Sequence, residues 1–425
     1  MADRYRPDTL CIQAGYEPKN GEPRVVPIVQ STTFTYERAR DMGALFDLEA
    51  EGFFYTRLGN PTLDAVERKI AALEGGVGAM LTSSGQAASM LSVLNICRSG
   101  DHMISTASIY GGTLNLFDKT LREMGIEVSF IPADASEEQV LEAVRENTKC
   151  VFTETLSNPT LVVADLCALA NGAHRAGVPL IVDNTFPTPI NCRPFSFGAD
   201  IVVHSTTKYM DGHAVQLGGV IVDSGQFNWD NGKFPGLTQP DDSYHGLCYT
   251  ERFGPAAYIT KARTHLMRDI GAQAAPMNAF LLNLGLETLA LRMERHCANA
   301  AKVAAYLKDN PKVDWVNYPG LKDSPQYARS QKYLPGGSCG VISFGIKGGS
   351  EQARVWMDSL KMASVVTHVA DLRTCVLHPA STTHRQLSEQ QMQEAGIPAN
   401  LLRLSVGIEN PQDILADLEA AFAQV

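Results

Sequence analysis

The sequence lacks most of what would tie a chain to a membrane, a nucleic acid or a metal. No apolar stretch approaches the roughly 20 residues needed to cross a bilayer. The opening "MADRYRPDTL" has neither an apolar core nor the acid-poor, serine-rich character of a targeting segment. No basic block interrupts a chain with 36 Lys and Arg against 46 Asp and Glu, and a net charge of −10 disfavours polyanionic partners. The 9 cysteines (Cys11, Cys97, Cys150, Cys167, Cys192, Cys248, Cys297, Cys339, Cys375) stand singly, with no CxxC pair. That fits reduced thiols packed as small core side chains better than a disulfide framework or a zinc knuckle. HExxH is absent and the 10 histidines show no zinc spacing, so no metal is expected. Neither GxGxxG nor GxxxxGKS/T occurs, which leaves dinucleotide and nucleoside triphosphate readings without their fingerprints. The expectation is a globular protein of the cytoplasm whose partners are small molecules or copies of itself.

What is present is a rhythm. At 425 residues and 44% hydrophobic, the chain can bury several cores, and two or three domains are expected. Residues 1 to about 60 read as irregular. "PTLDAVERKIAALEGG" then reads as a helix with Pro61 in its first turn and glycines closing it. Short apolar runs follow ("GAMLTSS", "HMISTAS", "EVSFIPA", "CVFTET", "PLIVDNT", "DIVVHST"), separated by helix-length segments. This alternation predicts an α/β fold, a mainly parallel sheet with helices on both faces. Residues 225–260, rich in Gly, Pro, Trp and Tyr, are too long for an ordinary connection and point to function or an interface. A long amphipathic helix, "MNAFLLNLGLETLALRMERHCANAAKVAAYL", leads into mixed elements that read as a smaller C-terminal α+β domain. The expected division is an N-terminal arm over 1–60, a cofactor-binding α/β domain over 61–262 and an α+β domain over 263–425.

In open α/β sheets ligands bind at the carboxyl ends of strands, and this chain loads those ends unevenly. After "GAML" come Thr82, Ser83, Ser84, Gly85 and Gln86 at a helix start, an arrangement suited to phosphate. After "CVFTE" come Thr155, Ser157 and Asn158; after "PLIV" come Asp183, Asn184 and Thr185; after "IVV" come His204, Ser205, Thr206, Thr207 and Lys208. A lysine and an aspartate at adjacent strand ends beside a phosphate cradle suit pyridoxal 5'-phosphate. The amine condenses with the aldehyde, and the carboxylate keeps the pyridine nitrogen protonated so that the ring accepts a carbanion's electrons. Desolvation should also lower the pKa of such a lysine enough for it to move protons near neutral pH.

"YTRLGNPT", "SSGQAA", "YGGT", "ETLSNPT", "VDNTF", "STTKYMDGH", "HPASTTH" and "RLSVGIE" resemble, in order and spacing, the Cys/Met-metabolism family of pyridoxal phosphate enzymes. The resemblance covers nearly the whole chain and implies a fold-type I architecture. "YGGTLNLF", "SYHGLCYTERFG" and "NLGLETLALRMERHC" are most similar to its O-acetylhomoserine sulfhydrylase branch. It implies that Lys208 carries the cofactor and shuttles protons and that Asp183 pairs with the pyridine nitrogen. Ser84, Gly85, Gln86, Ser205 and Thr207 would hold the phosphate, with Thr185 and Asn158 beside the cofactor. Tyr110 would stack on the ring and assist proton transfer, and Arg403 would fork the substrate α-carboxylate. Tyr55 and Arg57 would reach the phosphate of a neighbouring subunit, with Tyr55 also near substrate, in a homotetramer built as a dimer of dimers. The implied reaction is γ-replacement on O-acetyl-L-homoserine by sulfide or methanethiol in methionine biosynthesis. Cystathionine γ-synthase and the cystathionine and methionine γ-lyases are the alternatives.

Some residues depart from the pattern. Gly112 stands where methionine γ-lyases carry a cysteine, Leu114 where an aromatic is common, and "HVADLRTCVLHPA" replaces the sulfhydrylases' more usual "NVGDAKSLVIHPA". Plainer roles stay open as well. Asp183 could cap a turn, Tyr55, Arg57 and Tyr110 could be interface residues, and Arg403 could be a surface ion pair. His378 and His384 superficially resemble a metal pair and are expected to make structural hydrogen bonds instead.

Overall fold

A computed structural model describes residues 5–382, 385 and 398–425 of the chain. A seven-stranded sheet has the order β1-β7-β6-β5-β4-β2-β3: β1 Gly78–Thr82, β2 His102–Thr106, β3 Glu127–Ile131, β4 Thr148–Glu154, β5 Leu180–Asp183, β6 Ile201–His204 and β7 Gly219–Asp223. Only β7 runs against its neighbours, β1 and β6. The apolar runs "LIV", "IVV" and "VIV" are wholly buried, as expected of strands covered on both faces. Register pairs Glu154 with Asp183, and Asp183 with Val203. The carboxyl ends of β4, β5 and β6 therefore lie side by side, with Thr82 at the end of β1 close by through β7.

A five-stranded sheet, β10-β11-β12-β9-β8, comprises β8 Val313–Asn317, β9 Val341–Ile346, β10 Ser364–Val365, β11 Cys375–Leu377 and β12 Leu401–Ser405. Helices Gly349–Ser359 and Pro411–Phe422 pack on it through a core that includes Phe344, Trp356, Leu402, Leu404 and Phe422. Because side chains alternate across a strand, Arg403 projects from the face opposite Leu402 and Leu404.

Two elements differ from expectation. The amino-terminal stretch is not irregular throughout: Pro7–Gln13 and Ala39–Phe46 are helices, and Leu10 and Cys11 are fully buried. The long amphipathic segment is two helices, Pro276–Glu287 and Leu289–Asp309, separated at Thr288. Just before the break Gly285 packs against the turn at Asp211, where a Cβ would stand 2.4 Å from the carbonyl oxygen. Along the second helix, buried residues up to Cys297 pack in the core of the seven-stranded sheet and those from Ala300 onward in the second core. Residues 225–260 line no part of the cavity described below. Their aromatics are packed inward, with Trp229 stacked on Tyr258 at 5.2 Å and edge-on to Phe234.

Candidate active site

A cavity of about 240 Å³ opens at the joined ends of β4, β5 and β6. Ser84, Gly85, Gln86, Tyr110, Asn158, Asp183, Thr185, Ser205, Thr207, Lys208 and Arg403 all line it, together with Glu154, Thr367 and Val369, which the sequence reading had not singled out. Tyr55 and Arg57 do not. Tyr55 is 40% exposed, and Arg57 lies over its ring at 5.1 Å and donates to the Arg268 carbonyl at 2.7 Å.

The phosphate-cradle candidates sit at the start of helix Gly85–Leu94, where Ser84 caps the chain by accepting from Ala87 N–H. Glycine is required at 85 by proximity: a Cβ would lie 2.6 Å from that of Ser205. The helix start is thereby brought against the end of β6. Its free N–H groups and dipole favour an anion there, and the Ser205 hydroxyl lies alongside. Thr207 faces the same cavity, but its hydroxyl already exchanges hydrogen bonds with Gly218, donating to its carbonyl at 3.2 Å and accepting its N–H at 3.1 Å.

Asp183 is held in place by local bonds. Thr185 donates to its Oδ1 from both N–H and hydroxyl, and the Ser205 N–H donates to the Thr185 hydroxyl oxygen at 2.9 Å, joining the ends of β5 and β6. It therefore does cap its own turn, and its carboxylate still faces the cavity. Burial raises its pKa, against the bonds from Thr185 and the attraction of His204. No lysine or arginine among the described residues forms a salt bridge with it. A carboxylate so placed gains from a cation in the cavity. Behind it, His204 and Glu74 meet at 2.6 Å with both side chains fully buried.

Lys208 is pushed down to about 8, by burial first and by the positive charge of Arg403 second. Its ammonium donates to His368 Nδ1 at 3.4 Å. The turn that follows is held by Arg292, whose guanidinium donates to the Tyr209 carbonyl at 2.6 Å and the Met210 carbonyl at 3.3 Å. A charged residue inside the apolar "LETLALRM" stripe was the available signal for that role.

Arg403 is 6% exposed and has no carboxylate partner among the described residues. Its guanidinium donates to Asn158 Oδ1 at 3.3 Å and to the carbonyls of Thr367 and His368 at 3.2 Å each. This is not the surface ion pair that was the plainer alternative. A buried guanidinium without an acid is poised for a carboxylate ligand.

Glu154 accepts the Tyr110 N–H at 2.6 Å and so positions that ring, which is 48% exposed at the cavity rim. Burial and the neighbouring Asp183 raise its pKa. Gly112 bears on the same ring: a Cβ there would stand 2.6 Å from it, so a larger residue fits only if Tyr110 moves. Leu114 packs against the core instead of entering the cavity. His378 uses both ring nitrogens structurally, with Ser381 and the Ala399 carbonyl at 2.8 Å each; His384 lies outside the described residues.

A larger cavity of about 540 Å³, lined by Asp8, Glu294, Cys297 and Ser338 among others, contains no lysine or arginine and cannot offer a phosphate the same complement. In the first cavity a lysine, an uncompensated carboxylate, an anion-suited helix start and an acid-free guanidinium converge. That donor set fits pyridoxal phosphate carrying an amino acid.

Comparison with known proteins agrees. The family described as Cys/Met metabolism PLP-dependent enzymes matches residues 8–423. The O-acetyl-L-homoserine sulfhydrylase of Leptospira meyeri is 44% identical, with 100% of this chain and 98% of that protein aligned. The homocysteine synthase of Schizosaccharomyces pombe is 44% identical, with 97% of each covered. A crystal structure of a Campylobacter jejuni protein assigned as an O-acetylhomoserine (thiol)-lyase, holding a pyridoxyl-lysine phosphate, superposes with a TM-score of 0.95 at 36% identity, covering 99% of this chain and 100% of that one.

Proposed function

We propose a reaction from one premise: the chain belongs to the Cys/Met metabolism family of pyridoxal phosphate-dependent enzymes. It is a transferase of fold type I that replaces the acetate on Cγ of O-acetyl-L-homoserine by sulfide, giving homocysteine and acetate. Methanethiol in place of sulfide would give methionine. The observation that carries this reading is the convergence of Lys208, Asp183 and Arg403 on one cavity, with Arg403 buried and without an acid of its own. Relatives at 44% identity that bear the names O-acetyl-L-homoserine sulfhydrylase and homocysteine synthase favour replacement over elimination.

When bound, pyridoxal phosphate supplies an electron sink for the charge left on Cα of the substrate. The rest falls to this chain. Ser84, Gly85, Gln86 and Ser205 hold the phosphate, with Thr207 in support. Asp183 holds a proton at the pyridine nitrogen, and Thr185 fixes the carboxylate that does so. Arg403 grips the substrate α-carboxylate and aligns the Cα–H bond for removal, an orientation worth several kcal/mol at the barrier. Lys208, depressed to about 8, is partly free amine near neutral pH and can remove that proton and return it. Tyr110 covers the cavity mouth, and Asn158 ties Arg403 to the end of β4.

We read the working form as cytoplasmic and as a homotetramer built from dimers, in which Tyr55 and Arg57 serve the phosphate site of a neighbouring subunit. Their position outside the cavity of their own chain supports this. No helix among the described residues is long and apolar enough to cross a membrane. The decisive experiment mixes purified protein with O-acetyl-L-homoserine with and without sulfide and assays homocysteine and 2-oxobutanoate. Homocysteine that requires sulfide supports replacement. Equal 2-oxobutanoate in both arms would assign the enzyme to the γ-lyases.

A further inference from the structure

Outside the cavity lining, Lys208 Nζ meets one further side chain among the described residues, His368, at 3.4 Å. His368 lies on the segment before β11, half-buried, and its backbone is fixed from several directions. The Arg403 guanidinium donates to its carbonyl at 3.2 Å, the Cys375 thiol donates to the same oxygen at 3.6 Å, and the Ala370 N–H is held by Ser405 at 2.8 Å. Leu372 N–H donates to the Gly212 carbonyl at 2.9 Å, which ties this segment to the turn after Lys208. An imidazole mounted this firmly can direct a flexible four-carbon amine.

We propose that His368 is a positioning residue for Lys208: its Nδ1 accepts a hydrogen bond from the amine and aims it whenever Lys208 is not bonded to the cofactor. The proposal rests on Lys208 being the cofactor's lysine. The charged and titratable groups acting on His368 are Lys208, Asp371 and Arg403; burial first, then Lys208, pushes it down to about 4, so the ring is neutral and its Nδ1 lone pair is available. With Nδ1 accepting, the proton sits on Nε2, which is buried and has no hydrogen-bond partner. An unpaired buried donor costs stability, so an apolar side chain of similar size would suit folding at least as well as histidine. The gain lies in the contact to the amine.

The reactivity of Lys208 tests this directly. Full-length protein stripped of cofactor is labelled with acetic anhydride across a pH series, and the Lys208 peptide is quantified by mass. In the wild type, labelling should follow an inflection near 8. Removing the acceptor leaves the ammonium less solvated, so His368→Leu should move the inflection down by ~0.5–1 pH unit. His368→Asn, whose amide oxygen can occupy the place of Nδ1, should restore it, and the Leu variant should unfold at no lower a temperature than the wild type. An unmoved inflection in the Leu variant, or an Asn variant displaced as far as Leu, would overturn the proposal. A separate control distinguishes failure of the premise: if Lys208 is not the cofactor's lysine, Lys208→Ala will keep the visible absorbance of bound pyridoxal phosphate.

Discussion

The two sheets contribute to one cavity by different geometric means. The seven-stranded sheet delivers its groups from beyond its strands: Asp183 is the last residue of β5, Ser205 and Lys208 follow β6, and the backbone there has left the ladder. The five-stranded sheet has mostly antiparallel neighbours and no such common mouth. It delivers Arg403 from the middle of β12, by the alternation that also buries Leu402 and Leu404 on the other face. Groups at strand ends can be exchanged without touching the strands that carry them. The arginine is bound to the register of its strand, since a slip of one residue would send it into the core.

The largest effect should come from the most detached group. Lys208→Ala should abolish the visible absorbance of the bound cofactor and lower turnover by more than ~10³-fold, with a thermal unfolding temperature near that of the wild type. Substantial unfolding would break the contrast, because it would make the strand-end lysine part of the scaffold. Asp183→Asn comes next. An amide cannot hold a proton on the pyridine nitrogen, and a loss on the order of 10²-fold in kcat is expected with the cofactor still bound. Loss of cofactor instead of rate would assign Asp183 to retention.

Arg403→Lys tests the other sheet. A lysine keeps the charge but not the planar fork, so KM for O-acetyl-L-homoserine should rise by ~10-fold or more, and kcat should fall with it as the Cα–H bond loses its alignment. Steady-state kinetics distinguish this from a fall in kcat alone, which would mean that Arg403 acts on the reacting centre and not on the carboxylate.

The same contrast explains what the sequence disclosed. The groups at strand ends were legible because a polar residue after a β-branched buried run is conspicuous, and Lys208, Asp183 and Ser205 all follow such runs. The alternation of runs and helices also gave the α/β architecture. Glu154 was missed although it ends β4 in register with Asp183, because a glutamate at a strand end reads as solvated, and only the fold shows that Tyr110 N–H lies against it. His368 was missed because it is adjacent to nothing in the sequence that calls for an imidazole; it lies 160 residues from the amine it meets. The break at Thr288 was hidden by an unbroken helical pattern.

The smallest predicted effect crosses between the sheets. Arg403 is the second cause, after burial, of the low pKa of Lys208, so a cation in the five-stranded sheet tunes a base in the seven-stranded one. A positive neighbour disfavours the ammonium; removing it should move the lysine back toward 10.5. Arg403→Gln keeps a hydrogen-bonding side chain and deletes the charge. The inflection for Lys208 labelling in cofactor-free protein should therefore rise above 8 by a fraction of a unit, an amount consistent with two charges interacting in a partly solvated cavity. High salt should reduce the wild-type shift only slightly, because both groups are largely withdrawn from the counterion atmosphere. An inflection that stays in place in Arg403→Gln would leave burial as the sole cause and the two sheets electrostatically independent. A rise would mean that the residue gripping the substrate also sets how much of Lys208 is free amine, and that the entering α-carboxylate, by neutralising Arg403, raises the proton affinity of the base that must act on the same substrate.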